Sequence, residues 1–342
     1  AGMLIFQISD VEKNKFLTQI NQKNLDDLLT SISGQVNFAP ENPRFIFNDN
    51  TRELDLLSPG RKGRTLNLEL SGKEIQKALA QGAHSAVLSF DYQLPDVTDT
   101  STARDLDITE LIHSENSYFY GSGQSRIQNI ETAANQFHGL LVAPGETFSM
   151  AGAMDEISLD NGYSEALIIF NGKTIEGVGG GVCQVSTTLF RSAFYTGYPI
   201  VERHPHAYRV SYYEKTSGNN RDSNLAGLDA TVFIPLVDFK FTNDTPYWLL
   251  METYISKPNN RLTWKFYSTY DGRTIDWTTT GPTNIIKPED PIYQLNENLN
   301  TGEIKQVDWE AEGADVTVSR NVTKNSELIS QDTFFTQYEP WR

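Results

Sequence analysis

The chain of 342 residues has one cysteine, Cys183, no long apolar run and a shortage of basic residues, with 28 Lys and Arg against 44 Asp and Glu for a formal net charge of −16. A single thiol excludes an intramolecular disulfide framework and is compatible with a disulfide-free extracytoplasmic bacterial protein or a cytosolic one. No stretch approaches the ~18 apolar residues of a membrane helix, and no signal peptide is visible. The acidic balance leaves no basic stripe to neutralise phosphates, so nucleic acid is not expected as a partner. Electrostatic docking on anionic lipid is disfavoured for the same reason. The start Ala1-Gly2-Met3-Leu4-Ile5-Phe6 has neither an initiator methionine nor a basic leader. It reads as a mature product or a fragment, and membrane attachment is expected only through an anchor outside this chain.

What is present is the composition of a folded protein, 38% apolar and 11% aromatic, at a length that suggests two or three domains. The pattern predicts a multidomain α+β protein. Residues 1–104 read as a small α+β module: a helix over Asn21–Ile32 with Leu25, Leu28, Leu29 and Ile32 on one face, strands at Arg44–Asn48, Glu53–Leu57 and Ala86–Tyr92, and a helix over Glu74–Ala80. Pro95–Arg104 reads as a linker. Residues 105–278 form a central α+β domain, with a helix over Gln124–His138 ended by Gly139. In the same domain Asn171-Gly172 marks a hairpin turn, and strands near 237–241, 247–251 and 262–267 predict an antiparallel meander. Residues 279–342 begin with a Pro-rich linker at Gly281–Pro291 and continue as a small all-β module, with short strands at 304–307, 315–318 and 332–335.

The chemistry concentrates around Cys183. It follows the run Gly177-Val-Gly-Gly-Gly-Val182 and precedes a helical period of Val185, Leu189, Phe190, Ala193 and Phe194, closed by Gly197 and Pro199. Glycines permit unusual backbone angles, and a helix N-terminus lowers a thiol pKa. Some twenty residues on, Glu202-Arg203-His204-Pro205-His206 offers two imidazoles as bases. Strand alternation would place both on one face. Cys183 is thus a candidate nucleophile, His204 or His206 its base, and Asp229 or Glu202 the group that orients the histidine. Gly179, Gly180 and Gly181 are candidates for an oxyanion hole, and Gln184 and Tyr208 for ligand contacts. Arg203 and Lys240 would suit a carboxylate. The aromatics Tyr118, Phe119, Tyr120, Tyr208, Tyr212 and Tyr213 could stack on sugar rings or belong to the core. Cys183 with His204 and His206 could also make an open zinc site, but no fourth ligand suggests itself, and neither a metal nor a cofactor is assigned. The competing reading makes Cys183 a small buried hydrophobe under a glycine turn.

The segments VGGGVCQVSTTLF, IVERHPHAYRVSYY, GLDATVF and VDFKFTNDTPYWLL, with IQNIETAA, PGETFS and NGYSEALII before them, resemble the VanW domain of bacterial cell-envelope proteins over roughly residues 118–270. The stretch NPRFIFNDNTRELDLLSPGRKGRTLNLE resembles a peptidoglycan-binding-type domain that often precedes it, and GEIKQVDWEAEGADVTVSRNVTKNSELISQDTFFTQYEPW resembles a G5-type extracellular β-module. These resemblances imply an extracytoplasmic protein at the cell wall or cell surface, with peptidoglycan or another wall polymer as partner and self-association as a further option. Three functions follow as expectations. The first is binding of the wall polymer. The second is a Cys–His thiol enzyme, transpeptidase- or amidase-like, acting on wall peptide bonds, although the SHGC-type signature of cysteine L,D-transpeptidases is absent. The third is a structural surface protein.

Overall fold

The computed structural model describes residues 4–10, 15–170, 173–306 and 309–342. By internal contacts the chain divides into two compact units, Ala1–Arg44 with Leu56–Thr100, and Phe45–Asp55 with Ser101–Arg342. The architecture is α+β, built on antiparallel strand pairs.

In the smaller unit β1 (Leu4–Asp10) pairs with β2 (Lys15–Ile20) and leads into α1 (Gln22–Val36). The helix begins there because the Asn21 side chain accepts the Asn24 N–H at 3.2 Å, satisfying one of its orphan donors. Leu25 and Leu29 are buried and pack with Leu66, whereas Leu28 lies on the exposed side of the expected apolar face. β3 (Arg44–Asn48) and β4 (Glu53–Ser58) form the expected hairpin. Its residues Phe45–Asp55 group with the larger unit, where the Phe47 N–H donates to Glu252 Oε1 at 2.7 Å and the Phe47 ring stacks on Tyr267. Next come β5 (Gly63–Leu66), α2 (Leu68–Ala80) and β6 (Phe90–Gln93), with β5 paired to β6. β6 is shorter than the strand expected over Ala86–Tyr92. The stretch 95–104 has no helix or strand, yet Val97 and Ala103 are buried, so it is packed chain rather than a loose tether.

The larger unit contains β7 (Glu110–Tyr118), α3 (Gln124–Asn135), β8 (Leu140–Val142) and β9 (Thr147–Ser149). A hairpin follows, β10 (Glu165–Phe170) and β11 (Lys173–Val178); the expected Asn171-Gly172 turn lies outside the described residues. Then come α4 (Val182–Thr196), β12 (Ile200–Glu202), β13 (Lys240–Thr242), β14 (Leu249–Ser256) and β15 (Arg261–Ser268). The meander expected from 237 to 267 is split between two sheets. β14 and β15 lie in the order β7-β15-β14-β8, while β13 sits between β12 and β9. A fully buried Asn243 explains the break, because its side-chain amide bonds the carbonyls of Val142, Ala143 and Tyr247 and redirects the chain between β13 and β14.

The unit ends in a sheet of β16 (Arg273–Thr279), β17 (Thr283–Ile286), β18 (Gly313–Lys324) and β19 (Glu327–Tyr338). β17 lies inside the stretch expected to be a linker. Residues 304–306 of the expected strand 304–307 are not in a strand, and Val307 lies outside the described residues. The 315–318 and 332–335 segments are the cores of two twelve-residue strands. Val316, Val318 and Tyr338 share one hydrophobic core with α4, whose Val185, Leu189, Phe190, Ala193 and Phe194 are fully buried. Each large side chain so buried stabilises by about 1.5–3 kcal/mol, which holds the helix, and hence its N-terminus, in a fixed place. Among the described residues no helix is long and apolar enough to cross a membrane.

Candidate active site

Helix α4 starts at Val182, ahead of the apolar period that begins at Val185, so Cys183 is its second residue and lies in its first turn. The glycines before it are required by crowding. Gly179 and Gly181 adopt φ of 91° and 118°, and a Cβ on Gly180 would lie 2.4 Å from Leu167 O. Asn129, fully buried on α3, secures the same turn: its amide donates to Gly180 O and Ser164 O at 2.9 Å and accepts from the Ser164 N–H at 2.7 Å. The Gly179 N–H is engaged with Ser164 O at 3.3 Å. The Cys183 N–H, in the first turn of the helix, has no acceptor among the described residues and is the donor suited to an oxyanion.

The segment Gly227–Thr231 is clamped along α4 by the helix's own polar side chains. Ser186 Oγ and Thr187 Oγ1 donate to Ala230 O at 2.6 and 3.0 Å, and Arg191 Nε donates to Leu228 O at 2.7 Å. This places Thr231 Oγ1 3.3 Å from Cys183 Sγ, with Val232 O at 3.8 Å. It also sets Asp229 against His206. Asp229 Oδ2 accepts from the His206 backbone N–H at 2.8 Å and meets His206 Nδ1 at 2.6 Å. With Nδ1 taken, Nε2 is the nitrogen left for the thiol. The His206 ring packs against Tyr213 at a tilt of 34°, centroids 4.7 Å apart.

The second oxygen of Asp229 is held from elsewhere in the fold. Tyr338 Oη donates to Oδ1 at 2.5 Å while accepting the Gly227 N–H at 2.9 Å. Arg203 Nη2 approaches Oδ1 at 3.3 Å, and the same guanidinium donates to Asp229 O, Gly227 O and Thr336 Oγ1. His206 is thus fixed by Asp229 and acts on Cys183 through hydrogen bonding and charge, with only the cysteine of the three partly exposed.

The titration behaviour follows from this arrangement. Burial pushes the Cys183 thiol up, but the hydrogen bonding and positive charge of His206, with Thr231 and the Val232 carbonyl, bring it down to about 7. Burial lowers His206, and Asp229 and Cys183 outweigh that to raise it to about 9. Burial likewise opposes ionisation of Asp229, yet His206, Arg203 and Tyr338 hold its carboxyl well below the usual carboxylate range. Cys183 and His206 thus each favour the charged form of the other, a thiolate beside an imidazolium, which is the form a cysteine nucleophile needs.

The remaining candidate residues sit elsewhere or act indirectly. His204 is half exposed and pairs with Glu202 at 3.1 Å. The strand β12 ends at Glu202, before Pro205, so the alternation that would have put both imidazoles on one face does not reach them. Cys183, His204 and His206 are consequently not brought together as a ligand set, and no such cluster occurs among the described residues. Lys240 is bound to Glu202 at 2.7 Å, and Arg203 is buried behind Asp229. Gln184 is buried, donating to Ser117 Oγ at 2.7 Å and accepting from Arg126 at 3.0 Å. Tyr208 stacks on Trp341. Of the aromatics, Phe119 and Tyr213 are buried and Tyr118 stacks on a half-buried Tyr120. Sequence reasoning missed Tyr338, Asn129 and Arg126; IQNIETAA reads as a helix, but nothing local marks its Asn129 as the clamp of a turn fifty residues away. A cavity of about 130 Å³ lies at the other end of α4, near Tyr195, Tyr198 and Arg273, where Arg273 is already paired with Asp271 and Asp244.

Residues 125–267 match the family model described as VanW like protein. The chain is 39% identical over 127 residues to the Uncharacterized protein YoaR of Bacillus subtilis, a match that spans 37% of this chain and 38% of that protein. It is 26% identical over 201 residues to the Vancomycin B-type resistance protein VanW of Enterococcus faecalis, spanning 57% of this chain and 67% of that protein. The chain thus covers well under two thirds of the first of these relatives. No solved structure matches. Residues 125–267 correspond to a VanW-like domain, and that stretch holds Cys183, His206 and Asp229.

Proposed function

We propose that the chain is a cell-envelope thiol enzyme of the acyl-transfer class, acting on peptide bonds of the wall. The observation that carries this is the carboxylate-fixed, buried imidazole of His206, together with its influence on the partly exposed Cys183 sulfur, whose pKa it lowers. A binding surface or a structural spacer has no need of such an arrangement. The envelope location and wall substrate rest on the likeness to a protein named for vancomycin resistance and on the resemblances of the flanking segments to wall-associated modules. Recognition of the wall polymer remains part of this reading, as the way substrate reaches the thiol.

The steps balance with the residues present. The Cys183 thiolate attacks the carbonyl carbon, a C–S bond forms, and the carbonyl oxygen takes the electron pair and meets the Cys183 N–H. The C–N bond then breaks, with the His206 imidazolium giving its proton to the departing amine. Neutral His206 next takes a proton from water or from a second amine, which attacks the thioester and releases the thiolate. Water gives hydrolysis and an amine gives transpeptidation.

Iodoacetamide at pH 7.5 should alkylate Cys183 in the native protein at least about tenfold faster than N-acetylcysteine, as expected of a thiolate with a lowered pKa. Incubation with peptidoglycan fragments should yield an acyl adduct on Cys183, seen by mass spectrometry and absent in Cys183→Ser. A thiol that resists alkylation until the protein is denatured would sink the reading.

A further inference from the structure

We propose that Arg126 and Lys215 form a carboxylate-binding subsite beside Cys183, so that the acyl donor is a peptide with a free carboxylate close to the bond attacked; this rests on Cys183 being the nucleophile. Arg126, in the first turn of α3, packs over the N-terminus of α4. A Cβ on Gly181 would lie 2.9 Å from Arg126 O and 3.0 Å from its Cγ, so the glycine lets the arginine approach the residue two before the cysteine. The guanidinium donates to Ser122 Oγ at 2.7 Å and to Oε1 of Gln184, the neighbour of Cys183, at 3.0 Å. Its carbon lies 4.1 Å from the centre of the Tyr212 ring, and Lys215 Nζ lies 5.1 Å from the same ring. Tyr212 in turn precedes Tyr213, whose ring packs at a tilt against His206. The two cations therefore lie beside the first turn of α4, and Arg126, like Cys183, acts electrostatically on Tyr213.

Every partner of these two cations among the described residues is neutral. Arg126 has a hydroxyl, an amide oxygen and a ring; Lys215 has the ring and Tyr120 O at 3.0 Å. Elsewhere in this unit Arg203 meets Asp229, Arg209 and Arg221 meet Glu214, Arg273 meets Asp271, and Arg320 meets Asp332. Arg52, Arg104, Arg191 and Arg261 also lack an ion-paired carboxylate among the described residues, but none of them shares a ring with a second cation, and Arg191 is fully buried on the carbonyls of Leu228 and Tyr213. In a chain of net charge −16, two half-buried cations against one ring with no acid between them are arranged for an incoming anion. Burial and then the positive charge of Arg126 weaken the hold of Lys215 on its proton, a repulsion that a bound carboxylate relieves. The guanidinium has five N–H donors, and two hydrogen bonds leave enough for a carboxylate.

Alkylation by a neutral and an anionic reagent separates this subsite from the thiol reading. The rate with iodoacetamide reports Cys183 itself, and the ratio of the iodoacetate rate to the iodoacetamide rate reports the cations. Arg126→Gln should lower that ratio roughly tenfold and Lys215→Gln roughly threefold, the scale of one partly screened ion pair each, with iodoacetamide rates nearly unchanged. Lys257→Gln, which changes net charge equally at a surface pair with Glu131, should leave the ratio unaltered. Should Arg126→Gln fail to fold, Lys215→Gln carries the test, since the one side-chain hydrogen bond of Lys215 among the described residues is to the Tyr120 carbonyl. No labelling by either reagent overturns the thiol reading and the subsite with it. Fast iodoacetamide labelling, with a ratio that neither folded variant lowers or that Lys257→Gln lowers as much, overturns the subsite alone.

Discussion

Two sets of charges near the start of α4 are built on opposite principles. Toward Asp229 every charge has its counterpart inside the fold, and His206, Asp229 and Arg203 are each almost wholly buried. Toward Arg126 and Lys215 the side chains are half-buried, and their partners are neutral. A charge removed from water must be matched where it sits, because an uncompensated one costs several kcal/mol. The first side is therefore completed by folding. The second keeps water as its solvent and can exchange it for a ligand. The difference teaches which residues fix the geometry of the thiol and which are free to meet substrate.

The largest effect is expected on the completed side. Asp229→Asn removes the charge that orients His206 and leaves Arg203 without its carboxylate. Acyl transfer should fall about 10³–10⁴-fold, as when the orienting carboxylate of a catalytic triad is lost. Unfolding in urea should show a loss of about 3–5 kcal/mol, since one partner of a buried ion pair is gone. A variant as stable as wild type would mean that Asp229 is not an internal counter-charge, and the contrast between the two sides would collapse.

The pH profile sharpens the same contrast. Cys183 is brought down to about 7, so alkylation should rise as pH passes through that value and then level off. Acyl transfer also needs protonated His206, which is raised to about 9, so its profile should be bell-shaped between about 7 and 9. Asp229 acts on stability at a lower pH. Its folded pKa lies below its unfolded one, so its contribution is complete above about pH 4 and is lost as acid protonates the folded carboxylate. An alkylation profile that rises only near the free thiol value of about 8.5 would argue that thiol and imidazole titrate independently.

Part of this is legible in the sequence and part is not, for physical reasons. A glycine run followed by a helical period marks a strand-to-helix turn wherever it occurs, and that places Cys183 at a helix start. The choice between His204 and His206 is not legible. It depends on where β12 stops pairing, and pairing with β13 ends at Glu202. Asp229 stands out in the sequence as an acid that could orient a histidine, whereas its hold by Tyr338 joins residues 109 positions apart. The short strands near the C-terminus read as a separate module. Their inward-facing Val316 and Val318 pack into the core around α4, a relation no local period encodes.

Tyr338→Phe tests that long-range hold with a smaller change. Asp229 Oδ1 loses a charge-assisted donor, and the Gly227 N–H loses its acceptor. A cost of about 1.5–3 kcal/mol is expected, the range for a hydrogen bond to a charged group, with acyl transfer reduced far less than in Asp229→Asn because His206 Nδ1 keeps Oδ2. Tyr338 lies beyond residues 125–267. A measured loss would therefore make the terminal sheet part of the catalytic support, and no loss would restrict the support to the VanW-like stretch.

The smallest effect belongs to His204, and it is the strictest check on the assignment of the base. His204 and His206 share a sequence neighbourhood and an identical side chain, but the His204 ring is half exposed and paired with Glu202, itself already held by Lys240. An exposed pair of this kind contributes little, so His204→Ala should alter stability by less than about 0.5 kcal/mol. Its backbone carbonyl, which accepts the Thr231 N–H at 2.8 Å, survives the substitution, so the segment beside Cys183 stays in place. Alkylation and acyl transfer should match wild type, while His206→Ala removes the partner that lowers the thiol and should shift the alkylation profile upward in pH. If the two variants lose activity equally, the base is not the imidazole buried against Asp229, and the thiol must be served from the exposed strand end instead.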